Sequence, residues 1–342
     1  MLELINGKYK IVSIVGMAKN SGKTVSLNHL IGEAIDEGVS IGITSIGRDG
    51  ESLDIVTETE KPRIFLDEGS FIATSTGMLE LGDANIEILK VTDYRTPLGD
   101  IIIGKVKDGG YVQIAGPQRL SEIKAVCDMM LSLGAKFTII DGALDRLSQA
   151  APAISEATIL ATGAVLSRDM NKAIEETIHV VNTLGLSTIE DQTARDSIRE
   201  LIEDNQLAVI DENNNIDKIQ LKTALNAGHI IGDHLKDNSR YLVIPGSLVN
   251  GTLEDLTRST RKYKNIDIVI RDGTRIFIEP RDWLKFMKQG VRIKVLDPIN
   301  LIGITLNPYA PQGYYFEPVD FLAKMKSYIN TIPVMDLILG GE

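Results

Sequence analysis

The chain has 342 residues, of which 43% are hydrophobic and 24% charged, values that fit a globular protein and argue against a disordered or fibrous one. A formal net charge of -11 argues against binding dominated by nucleic acid or an anionic membrane, since both need clustered Lys and Arg. The length predicts two domains rather than one. The opening MLELINGKYK lacks the apolar core of a signal peptide, no apolar run approaches the roughly 18 residues of a membrane span, and Cys127 is the only cysteine. The expectation is a cytoplasmic chain with no intramolecular disulfide, acting on small molecules or proteins.

The apolar run YKIVSIV (9–15), bounded by Gly7 and Gly16, predicts a buried strand. Over 23–37, Leu27, Leu30, Ile31, Ala34 and Ile35 recur at helical spacing, and Gly38 supplies a stop. A second strand over 41–46 completes a βαβ unit, which places it beside the first strand. From about 51 to 116 the pattern changes to short β-like runs (PRIFL, ANIEILKV, GDIIIGKV, YVQIAG) without a helix, and predicts a β-rich insertion. Helical period returns over 120–133 with Leu120, Ile123, Cys127 and Met130 in one stripe, followed by strands FTIID (137–141) and ATILATGAV (157–165).

The remaining chain keeps an α/β rhythm, with strands at LAVID, RYLVIPG, IDIVIRD, RIKVLD, LIGITLNP and PVMDLIL. The predicted architecture is α/β, a mainly parallel sheet of the P-loop NTPase type with a β-rich insertion. Residues 1–185 form a nucleotide-binding domain, and 186–342 form a second α/β domain or a continuation of the same sheet, with the boundary in the polar segment 185–191. The segment RDWLKFMKQG, with Trp283, fits either a partner-docking helix or a core helix.

The segment GMAKNSGKT, Gly16 to Thr24, lies between the first strand and the first helix. In the usual phosphate loop, G-x-x-x-x-G-K-[ST], backbone N–H groups wrap phosphates, the Lys neutralises them and the hydroxyl meets Mg²⁺. Here five residues rather than four separate Gly16 from Gly22, and Met17 takes the place of the first glycine. The strand before and the helix after supply the context the motif needs. The nucleotide-binding candidates are Gly16, Asn20, Ser21, Gly22, Lys23, Thr24 and Val25.

Such a loop needs an acidic partner for Mg²⁺ at the end of a neighbouring strand. Asp141, in IIDGALDR, is the first candidate. Asp49, in GRDGE after the second strand, is another, with Arg48 beside it, although D-G is equally a turn signal. Lys23, Asp141 and Asp49 are the catalytic candidates, and Thr24, Asp141 and Asp49 the metal ligands. Asn307, in LNPYAPQG, is a candidate for the base, as an alternative to a Pro-rich structural turn; the loop 245–247 and the turn ATGA (161–164) are weaker ones. His29, His179, His229 and His234 have no metal spacing. Neither G-x-S-x-G nor G-x-G-x-x-G after a strand occurs, which argues against a serine hydrolase and a Rossmann dehydrogenase.

The spacing of GMAKNSGKT resembles that of dethiobiotin synthetase and cobyric acid synthase. That resemblance implies that Lys23 contacts the β and γ phosphates, that Thr24 ligates Mg²⁺, and that Gly22 and Ser21 present amides. Taken together, GMAKNSGKT, GRDGE, the β-rich insertion and IIDGALDR resemble the P-loop subunit of the reactivase of cobalamin-dependent lysine 5,6-aminomutase and ornithine aminomutase. This implies ATP and Mg²⁺ as cofactors, and a cobalamin-dependent aminomutase and a second, MutS-like ATPase subunit as partners; a homodimer is compatible. No D-x-H-x-x-G run for cobalt is present, which fits a helper acting on a holoenzyme. The other readings are an ATP-dependent synthetase resembling dethiobiotin synthetase, and a scaffold without turnover.

Overall fold

The computed structural model of the chain describes residues 1–46, 64–142, 154–221, 224 and 227–337. It contains two compact units: Met1–Ile178 together with Asn300–Glu342, and His179–Ile299. The first boundary falls at 178/179 rather than 185–191, and the chain returns to the first unit at Asn300, where the strands Leu301–Asn307 and Val334–Asp336 continue its large sheet.

The first unit carries β1 (Ile11–Gly16), α1 (Lys23–Asp36), β2 (Ile41–Ser45), β3 (Ile64–Leu66), β4 (Phe71–Ser75), β5 (Asn85–Thr96), β6 (Gly99–Asp108), β7 (Gly110–Val112), α2 (Leu120–Ser132), β8 (Phe137–Asp141) and β9 (Ala157–Gly163). Helix α3 (Met170–Leu184) runs across the division. The second unit carries α4 (Gln192–Glu203), β10 (Ala208–Asp211), β11 (Ile216–Lys218), α5 (Gly228–His234), β12 (Ser239–Val243), β13 (Leu248–Val249), α6 (Asn250–Ser259), β14 (Asp267–Ile270), β15 (Ile276–Phe277), α7 (Pro280–Lys288) and β16 (Ile293–Val295). Then β17 (Leu301–Asn307), α8 (Pro318–Tyr328) and β18 (Val334–Asp336) rejoin the first.

The first unit is built on a nine-stranded sheet in the order β18-β17-β9-β1-β8-β2-β4-β6-β5. All strands from β18 to β4 run parallel, and β6 and β5 are antiparallel additions. Strand β1 is central because its apolar run suits a strand covered on both faces. Val12 and Ile14 pack with Leu27, Leu30 and Ile31 of α1, while Ile11 lies in the core formed with Ile123, Val126, Cys127 and Met130 of α2. Leu120, expected in the α2 stripe, is instead exposed at the first position of that helix, and Val126 supplies the missing contact.

One expectation about this sheet is corrected. Strand β2 does not lie beside β1: β8 separates them, with Ile14, Asp141 and Ser45 in register across the three strands. The α1 crossover skips one position, which the later, fully buried strand β8 fills. The β-rich run supplies β3 to β7: β4, β6 and β5 extend the main sheet, while β3 and β7 form a separate antiparallel pair. The strand that joins this run to the sheet is β4, FIATS, whose alternation is hidden because all five residues are buried.

In the second unit the sheet order is β11-β10-β12-β14-β16, with β12, β14 and β16 parallel and β10 antiparallel to both its neighbours. Trp283 and Phe286 of α7 are buried in its core, and the Trp283 ring meets His179 edge to face at 5.7 Å between centroids. Of the two readings of RDWLKFMKQG, these contacts are those of a core helix. Asp191 caps α4, its carboxylate accepting from the Ala194 N–H at 3.1 Å and pairing with Arg240 at 2.7 Å. Among the described residues no helix is long and apolar enough to cross a membrane.

Two measurements check these environments. Burial pushes the Cys127 thiol up to about 12, so iodoacetamide at about pH 8 should leave the native protein unlabelled and label it after unfolding in urea. The Ala194 N–H and then Arg240 hold the Asp191 carboxyl below the usual carboxylate range. A depressed folded-state pKa gives stability that is complete above the ordinary value near 4 and lost as pH falls through the lower folded one. Thermal melts of Asp191→Asn, which still caps but cannot titrate, should therefore depend less on acid than those of the parent.

Candidate functional site

The loop between β1 and α1 takes its shape from two residues in the left-handed region, Asn20 at φ 63° and Gly22 at φ 95°. Asn tolerates this conformation and glycine adopts it freely. Gly22 is the N-cap of α1 and offers no capping side chain, so the first amides of the helix have no side-chain acceptor at that position. The additional residue in the spacing has a simple place. Met17 donates its N–H to the Ala161 carbonyl at 2.9 Å, one further rung of the β1–β9 ladder, and the turn proper begins after it.

Both glycines of the motif are closely packed, and Gly22 also needs its left-handed backbone. A Cβ on Gly16 would lie 2.6 Å from the Ser21 hydroxyl, and one on Gly22 would lie 2.8 Å from the Cβ of Asn307. Ser21 is 1% exposed, and its hydroxyl has no hydrogen-bond partner among the described residues. A buried hydroxyl in that state costs about 1–3 kcal/mol, which marks the loop as a place where a polar ligand would compensate.

Lys23, the first residue of α1, points back under the loop. Its ammonium pairs with the Asp141 carboxylate at 2.9 Å and donates to the Gly142 carbonyl; both side chains are more than nine-tenths buried. The pair exists because β8 runs beside β1, so that the end of β8 meets the start of α1. Such a pair is held in a low dielectric, and removing one partner strands a buried charge at a cost of about 3–5 kcal/mol. Thr24 follows, half-buried, and Val25 is exposed.

The sequence-predicted residues Gly16, Asn20, Ser21, Gly22, Lys23, Thr24, Asp141 and Asn307 are thus brought to one end of the sheet. Asn307, at the end of β17, uses its amide to brace the loop. Its Nδ2 donates to the Asn20 carbonyl at 3.1 Å, and its Oδ1 accepts the Tyr309 N–H at 3.1 Å. One N–H and part of the acceptor capacity remain for a ligand. The same stitch is reinforced one turn along α1, where Ser26 and Thr305 share a hydroxyl hydrogen bond of 2.7 Å. These two residues carry no local signal, since one lies inside a helix pattern and the other inside a strand pattern. Tyr309 and Tyr315, exposed and 6.0 Å apart between centroids, extend the β17 end of the site.

Asp49, with Arg48, and the 143–146 part of IIDGALDR lie outside the described residues. The candidate loop 245–247 belongs to the other unit, and the ATGA turn contributes only backbone, through Ala161 and Ala164, whose carbonyl accepts the Tyr314 hydroxyl at 2.8 Å. Among the described residues no group of three or more His, Cys, Asp or Glu side chains is arranged to hold a metal. Compared with protein-family models, curated proteins and solved structures, the chain matches none.

The turn geometry can be checked by Gly22→Ala. A left-handed non-glycine residue costs about 1–2 kcal/mol, and the Asn307 contact adds to it, so urea unfolding should shift to lower concentration. Adding Asn307→Gly, which removes the opposing Cβ but also its amide, should relieve the contact and make the two effects non-additive.

Proposed function

We propose that the protein binds a nucleoside triphosphate, ATP with Mg²⁺, at the loop 16–24, and uses it as the reactivating subunit of a cobalamin-dependent aminomutase, together with a second ATPase subunit. The observation that carries the nucleotide part is the Asn20–Gly22 turn, which leaves α1 amides uncapped and sets a buried ammonium beside a strand-end carboxylate. Amides at a helix start, a lysine and a hydroxyl are the donor set that polyphosphate requires. The orphaned Ser21 hydroxyl and the two closely packed glycines fit such a guest.

In this reading Lys23 trades its carboxylate for phosphate, which frees Asp141 to serve, with Thr24, the divalent cation. ATP supplies the energy that a conformational helper needs, because the γ-phosphate can order a segment and its loss can release it. The aminomutase part rests on the resemblance of GMAKNSGKT, GRDGE and IIDGALDR. Its physical logic is that radical enzymes holding adenosylcobalamin are stranded when the adenosyl group is lost, and a spent cofactor held tightly must be pried out.

Calorimetric titration with ATP and Mg²⁺ tests the first part. Lys23→Ala should lose about 1.5–3 kcal/mol, a weakening of roughly 10- to 150-fold, in protein whose circular dichroism matches the parent. Unchanged affinity would sink the loop assignment. The helper role is tested separately, by adding the protein, its ATPase partner and ATP to an aminomutase that has lost activity. Recovery that needs all three supports the role, and failure with intact ATP binding removes the role but leaves the nucleotide site standing.

A further inference from the structure

Strand β5 closes one side of the nine-stranded sheet. It pairs with β6 on its inner side, and no described strand pairs with its outer side. Proteins usually protect such an edge by shortness, proline or charge. Here the edge strand is twelve residues long and contains no proline; it carries Glu87, Lys90, Asp93 and Arg95 and shifts register against β6 at three places, and it exposes five consecutive residues, 87–91. Three of these are apolar, with Ile88 48%, Leu89 40% and Val91 57% exposed.

The exposed segment has an internal symmetry. Residues 86–91 read IEILKV, so an antiparallel copy turned about a two-fold axis between Ile88 and Leu89 opposes Ile86 with Val91, Glu87 with Lys90, and Ile88 with Leu89. Apolar residues meet apolar ones and the carboxylate meets the ammonium, and each pairing occurs twice by symmetry. Slipping the register by two residues, to a centre between Leu89 and Lys90, sets Ile88 against Val91 and Leu89 against Lys90, and opposes Glu87 with Thr92, leaving it without a cation. The ladder to β6 shifts between Ile88 and Lys90, leaving Leu89 as the extra residue. That bend sits at the axis, so the two-fold sets like bend against like bend rather than bend against straight strand. Glu87 already pairs with Lys107 at 2.7 Å, and a carboxylate has acceptor sites for a second cation.

We infer that this edge is an isologous interface between two copies of the chain, joined β5 to β5 with Glu87 opposite Lys90 of the second copy. A C2 contact uses the same patch twice, which a self-complementary segment satisfies without further design. One strand pair buries less than the roughly 1,600 Å² of a standard interface, so the association is reversible and concentration-dependent.

Sedimentation velocity of the full chain over a concentration series tests this. The expected result is a monomer–dimer equilibrium. Glu87→Lys or Lys90→Glu alone, each placing like charges opposite twice, should weaken it about tenfold, and the double exchange Glu87→Lys with Lys90→Glu should restore it. Val91→Arg, at the most exposed apolar position, should weaken dimerisation with an unchanged thermal melt. A monomer at every concentration overturns the inference, as does a dimer that none of these exposed substitutions disturbs.

Discussion

The buried pair of Lys23 and Asp141 is the constraint around which the first unit is arranged. Two charges this far from solvent are tolerable only in close contact with additional donors and acceptors around them. The β8 register beside β1 brings the Asp141 carboxylate to the start of α1, where Lys23 and the Gly142 carbonyl meet that need. The left-handed turn through Asn20 and Gly22 then follows, since the chain must reverse within a few residues to deliver Lys23 there. The Lys23 ammonium joins the start of α1 to the end of β8 and to the Gly142 carbonyl.

A second level of support comes from the far end of the sequence. Strand β17 joins β9, and its final residue, Asn307, holds the Asn20 carbonyl, while Thr305 holds Ser26. The site is therefore closed by residues nearly three hundred positions from the loop. The second unit is inserted in the chain from His179, within α3, to Ile299, just before β17. Function proposed for the loop is thereby coupled to correct folding of the returning strands, and damage at β17 would reach the loop through two hydrogen bonds and one tight Gly22–Asn307 contact.

The opposite side of the same sheet shows a different economy. Strand β4 is wholly buried and β6 is buried over Ile101–Gly104 and at Val106, whereas eight of the twelve residues of β5 are exposed. A sheet can grow in this direction only until its last strand has nothing to cover, and the apolar residues left there mark where another surface belongs.

Much of this was legible from residue order. Local signals, an apolar run, a helical period and a glycine stop, located β1, α1, α2, β8 and β17, and the spacing of GMAKNSGKT and the acid that ends FTIID singled out Lys23 for phosphate and Asp141 for the cation, but not their pairing with each other. Strand neighbours were not legible, because adjacency in a sheet is chosen by which buried faces fit, and a βαβ pattern does not say whether a later strand will be inserted between the first two. FIATS escaped notice because a strand buried on both faces loses its alternation. Asn307, Ser26 and Thr305 needed the tertiary structure, since hydrogen bonds between residues remote in sequence leave no period to read. The sequence by itself determined the strands and helices that carry a clear period, and placed GMAKNSGKT between a strand and a helix; only the folded chain decided which strand lies beside which, and so which side chains reach the loop, because that choice is made by packing over long range.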